Sequence, residues 1–102
     1  MQYGLSENTI NVIRRCLERY HGIESAVLFG SRAMGNYKNG SDIDLALKGS
    51  SLTISEVSRL ENDIDDLLLP YKFDISIFHQ ISNQELLEHI ERVGKLFYLK
   101  EE

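Results

Sequence analysis

The residues of this chain best suited to chemistry are three aspartates, Asp42, Asp44 and Asp74. Asp42 and Asp44 alternate with Ile43, Leu45 and Leu47 in DIDLALK, and Asp74 alternates with Phe73, Ile75 and Ile77 in KFDISIF. A strand sends successive side chains to opposite faces, and paired strands lie about 4.8 Å apart, so in neighbouring strands all three carboxylates share one surface. Ionised carboxylates that close repel one another, and proton uptake or hard divalent cations relieve the repulsion. Mg2+ suits such a face. It takes one or two protein carboxylates and leaves its other positions to water and substrate phosphates, the arrangement of two-metal phosphoryl or nucleotidyl transfer.

Alone, an Asp-x-Asp pair reads as a solvated strand face. The segment before it changes the balance. Gly30-Ser31 follows an apolar run directly, where a backbone without a side chain can approach a phosphate and a hydroxyl can donate to it, and Arg32 adds a permanent cation. The spacing is neither a Walker loop nor a Gly-x-Gly-x-x-Gly dinucleotide fingerprint, and the residues after Asp42 do not fit a calcium-binding EF-hand.

The elements that must position these residues follow from periodicity. From Ser6 to about His21, Ile10, Ile13, Leu17 and Tyr20 recur at helical spacing, with Ser6 as cap and Gly22 as stop. Cys16 lies near that apolar face and reads as a core thiol. Ser25 to Phe29 (SAVLF) reads as a first strand, and the polar stretch Gly30 to Ser41, with the Asn39-Gly40 turn, leads to a second. A long helix opens at the capping box Thr53/Glu56 and stops near Pro70. A third strand runs through YKFDISIF, a last helix opens at a second capping box, Ser82/Glu85, and ends at Gly94, and KLFYL adds an edge strand. Strands with one apolar face each predict a two-layer α+β domain, a mixed sheet with its helices on one face.

Composition narrows the function class. The chain has 102 residues, enough for one domain spanning 1–102. Sixteen acidic residues against eleven Lys and Arg give a net charge of -5, which argues against gripping duplex DNA through its phosphates. No apolar run is long enough for a membrane span, and MQYGLSENTI has no signal-peptide character, so a soluble, cytoplasmic protein is expected. One cysteine excludes an internal disulfide and a multi-thiolate zinc site.

GSRAMGNYKNGSDIDLAL, with ten residues between Ser31 and Asp42, resembles the signature of the nucleotidyltransferase superfamily that includes DNA polymerase beta. Asp74 falls where that family carries a third carboxylate on a later strand. The chain is most similar to the minimal nucleotidyltransferases, the antitoxins of prokaryotic HEPN/MNT toxin–antitoxin systems, along nearly its whole length. The resemblance implies the polymerase beta-like fold, Gly30 and Ser31 holding the triphosphate of ATP, and two Mg2+ ions on Asp42 and Asp44, with Asp74 completing the metal and catalytic set. It also implies transfer of AMP to a tyrosine of a HEPN ribonuclease toxin, held in a hetero-oligomer. Many relatives read GSRARG; here Met34 replaces that second arginine, and Arg32, Lys38 or Lys48 would have to supply its charge.

Two other functions compete: an antibiotic-type nucleotidyltransferase acting on a small acceptor, and a non-catalytic subunit that neutralises a partner by contact. The first usually needs a further acceptor-binding domain, for which this chain has no room. Glu61, Asp63, Asp65 and Asp66 read as a solvated helix face, with a dock for a basic partner as the alternative. His21, His79 and His89 show no ligand spacing, and the five tyrosines no stacking pattern for nucleic acid, although Tyr37 lies in the candidate nucleotide loop.

Overall fold

Ser6 opens the first helix as expected, its hydroxyl accepting the Thr9 amide at 3.1 Å, and α1 (Glu7–Glu18) buries Ile10, Ile13, Cys16 and Leu17. The structure, a computed structural model, describes residues 1–101; Glu102, the last residue of the expected domain, lies outside the described residues. β1 (Ser25–Phe29) runs straight into a short helix, α2 (Gly30–Met34), where the sequence predicts only a polar loop. β2 (Ile43–Lys48) returns antiparallel to β1, and α3 (Ile54–Asp65) carries the chain over to β3 (Phe73–Ile77), parallel to β2. After a 3-10 turn at Phe78–Gln80 come α4 (Gln84–Val93) and β4 (Lys95–Leu99), the latter antiparallel to β1, giving the order β3-β2-β1-β4.

The capping box of α3 is present in full. Thr53 accepts from the Glu56 amide at 3.2 Å, and the Glu56 carboxylate accepts from the Thr53 amide at 3.3 Å. The second expected box is not: Asn83, rather than Ser82, caps α4 by accepting the Leu86 amide at 3.1 Å. Both residue types cap well, and Asn83 is the one with extended backbone directly ahead of the first helical residue.

The main core lies on one face of the sheet. Ala26 and Leu28 of β1, Ile43, Leu45 and Leu47 of β2, and Ile77 of β3 pack there against the buried stripes of α1 and α3. Each fully buried leucine contributes about 2 kcal/mol by leaving water. A bulge in β4 adds to it: Ala26 pairs with Tyr98 and Val27 with Leu96, so Phe97 is an extra residue and both Phe97 and Tyr98 are buried. Tyr20 ties α1 to α3 by donating its hydroxyl to Asp63, and burial together with that bond pushes its pKa up to about 12.

The α+β class and the mixed sheet stand as predicted, but the helices do not all lie on one face. α4 covers part of the opposite face, where Ile90 packs with Phe29 and Ala46, flanked by Val27, Leu86 and Val93. Val27 and Phe29 require this cover, because β1 is apolar on both sides. None of the described helices is long and apolar enough to cross a membrane.

Candidate active site

The part of the second face that α4 leaves uncovered carries the aspartates. Asp44 and Asp74 are direct partners in the parallel β2–β3 ladder, and Asp42 stands one residue ahead of β2. Asp42 and Asp74 are exposed and Asp44 is half-buried. Desolvation first, then the Asp74 charge, then that of Asp42, raise the Asp44 pKa to about 6. The alternation in the sequence thus brings these carboxylates onto one surface, close enough to repel.

On the other side of Asp44 lies β1, whose last residue, Phe29, pairs with Asp44. The next residue, Gly30, takes a φ of +74°, and a Cβ there would collide with Asp44 Oδ2. Glycine is required twice over, by the backbone conformation and by the carboxylate lying against its Cα. Gly30→Ala should therefore lower stability by about 2 kcal/mol through backbone strain alone, and it should also displace Asp44. An unchanged urea midpoint would contradict this account. Ser31 follows as a half-buried residue of α2, directly after the glycine that Asp44 packs against.

Arg32 does not face this surface, which corrects its expected place at the phosphates. Its side chain is turned inward, 2% exposed. Nε and Nη2 donate to the Ser41 carbonyl at 3.1 and 2.9 Å, and Nη1 donates to the Tyr3 carbonyl at 2.8 Å. The guanidinium lies 4.9 Å from the Tyr71 ring centroid and 5.4 Å from that of Tyr37. A guanidinium with these partners binds the loop to itself and holds Ser41, the residue before Asp42. Lys48 shares the face of Asp44 but stands four residues further along β2, its Nζ 4.5 Å over the Phe78 ring. Of the cations considered as substitutes for the arginine replaced by Met34, Lys38 is the exposed one in the loop.

Sequence reasoning missed one histidine. His89 of α4 reaches the site, where its Nε2 accepts the Gly30 amide at 3.1 Å and its ring meets Phe29 edge-on. Nothing in a lone histidine on a helix signals such a contact. His79 is exposed in the 3-10 turn, and His21 lines a cavity of about 560 Å³ along β4 with Arg14, Glu18 and Lys100, away from the aspartates. Within the acidic helix cluster, Asp63 is engaged by Tyr20 and lies 3.9 Å from Arg19, while Glu61, Asp65 and Asp66 are exposed.

Among the described residues, no three His, Cys, Asp or Glu side chains close into a ready-made metal cage. The donor set is instead an open face of all-oxygen, hard ligands, which fits Mg2+ because that ion shares its shell with water and substrate phosphates. The close Asp44–Asp74 pairing and the raised Asp44 pKa are what a bound cation would relieve.

A family model described as polymerase beta, nucleotidyltransferase matches residues 11–102. Solved structures share the fold at low identity. A chain of a toxin–antitoxin complex with AMP-PNP superposes with a TM-score of 0.69 at 22% identity, covering 95% of this chain and 76% of that one. The MntA-HepT toxin–antitoxin gives a TM-score of 0.67 at 18% identity, covering 93% of this chain and 74% of that one. A complex of tri-AMPylated Shewanella oneidensis HEPN toxin with MNT antitoxin gives 0.63 at 20% identity, with 97% and 74% covered. No curated protein matches the chain.

Proposed function

Because the chain belongs to the polymerase beta nucleotidyltransferase family, we propose that it transfers AMP from ATP to a hydroxyl of a protein, a tyrosine of a HEPN-type toxin, and so acts as that toxin's antitoxin. What carries the reading is the in-register pair Asp44–Asp74 with Asp42 beside it, facing the turn at Gly30-Ser31. The AMPylated toxin seen with a fold neighbour supports the choice of acceptor class.

In this reading residues 1–102 form one domain, and Asp42 and Asp44 hold two Mg2+ ions, with Asp74 completing the set. Bound Mg2+ supplies positive charge that offsets the charge of the triphosphate and of the departing pyrophosphate. Gly30 and Ser31 receive the triphosphate, Ser31 donating its hydroxyl to a phosphate oxygen. Arg32 keeps Ser41, and with it Asp42, in place from below. Asp74, exposed on the strand next to Asp44, takes the proton of the acceptor hydroxyl as its oxygen attacks the α-phosphorus and the bond to pyrophosphate breaks. Alignment of these groups and electrostatic stabilisation account for the rate.

The test is incubation of the purified protein with Mg2+ and α-labelled ATP in a lysate of its source cells, beside an Asp42→Asn variant. A labelled protein band that appears only with the wild type is expected, and sequencing the modified peptide identifies the acceptor. If no protein is labelled and a co-expressed toxin is neutralised equally by the Asp42→Asn variant, the chain is a binding subunit and the catalytic reading fails. Label on a small molecule instead of a protein would move it to the antibiotic-type enzymes.

A further inference from the structure

Gly30 is held from two sides. The Asp44 carboxylate occupies the space a side chain would need, and His89 accepts the Gly30 amide. Nε2 takes this bond through its ring lone pair, at 3.1 Å from the Gly30 nitrogen. The ring is also fixed by its edge-on contact with Phe29, at 6.2 Å between centroids and 81° between planes. Its helix is anchored on the sheet by Ile90, the next residue. The bond therefore ties α4 to the peptide plane between Phe29 and Gly30, the one that turns the chain from strand into α2 and sets where Ser31 points. Without an acceptor, nothing on the α4 side fixes this plane at its unusual φ.

We infer that His89 is a positioning residue that presets the Gly30-Ser31 turn for the triphosphate. The inference rests on the nucleotidyltransferase reading and deepens it. A turn held in one orientation before and during the reaction improves binding of nucleotide and transition state alike, so its loss raises KM and leaves kcat nearly unchanged.

Two substitutions separate the hydrogen bond from the packing. His89→Gln keeps an acceptor but loses the ring, and His89→Phe keeps a ring against Phe29 but loses the acceptor. His89→Phe should raise the KM for ATP about tenfold with kcat within about twofold, whereas His89→Gln should stay within about threefold of wild type in both. Exchange of the Gly30 amide, followed by NMR, should be slow in the wild type and His89→Gln and fast in His89→Phe. The inference is overturned if His89→Phe matches the wild type in KM and Gly30 exchange, or if both variants lose kcat to the same degree. A wild type that transfers no AMP defeats the enzymatic reading alone. Binding of AMP-PNP with Mg2+ and the Gly30 exchange then still decide the inference, which stands if His89→Phe weakens binding about tenfold and frees the amide, and falls otherwise.

Discussion

Asp44→Asn should abolish AMP transfer and yet melt at a higher temperature than the wild type at pH 7. The loss of transfer, by about 10³-fold or more, follows from removing the central carboxylate of the face proposed to hold Mg2+. The gain in stability follows from the electrostatics of the same face. The Asp44 pKa stands at about 6 in the folded protein against 3.8 for the free side chain, raised by burial, Asp74 and Asp42. Folding therefore disfavours its ionised form. The stability linked to this group is fully present below the unfolded pKa and is lost as pH rises through about 6. Two pKa units correspond to about 3 kcal/mol, which solvent screening of a half-exposed carboxylate reduces to about 1 kcal/mol. Asparagine, of the same shape and uncharged, escapes that cost, so its melting temperature should exceed the wild type's by about 4 °C at pH 7. The two should converge below pH 4. Mg2+ should raise the melting temperature of the wild type and not of the variant, since in the proposed site tight binding would require the Asp44 carboxylate. A variant that still transfers AMP would refute the site; one less stable at pH 7 would refute the repulsion.

Arg32→Ala should cost about 3 kcal/mol of stability, a large share of what a domain of this size has. The carbonyls of Tyr3 and Ser41 lose their donor, and a space opens between Tyr37 and Tyr71. Arg32→Lys keeps the charge but cannot grip Ser41 with two nitrogens, and about 1–2 kcal/mol of loss is expected. Both would slow transfer as well, because Ser41 leads directly into Asp42. If Arg32 met phosphate instead, either substitution would raise the KM for ATP and leave the denaturant midpoint unmoved. Guanidinium unfolding curves of the two variants distinguish these outcomes.

The positions of Asp42, Asp44 and Asp74 were legible because a strand has a period of two and their apolar neighbours fix which face is inward. The Thr53/Glu56 box was legible because its partners lie three residues apart. Arg32 was misplaced because residue type gives charge but not direction; what turns it inward are Tyr3, Tyr37 and Tyr71, brought together only by the tertiary fold. The position of α4 had a sign that alternation elsewhere obscured. SAVLF does not alternate, and Val27 and Phe29 pointed to apolar cover on a second face. The grip of His89 on Gly30 spans 59 residues and leaves no local pattern.

Asp74 stands on β3, which has a neighbour on one side only. Its partner Asp44 is on β2, paired on both sides. An outer strand can detach in a partial opening that leaves the rest of the molecule intact, and such openings need less free energy than complete denaturation. Amide exchange should accordingly run faster along Phe73–Ile77 than along Ile43–Lys48. In the proposed site the third carboxylate would then come and go on its own clock, and the fraction of molecules with a complete site at any moment would be governed by the docking of one peripheral strand rather than by the stability of the whole domain.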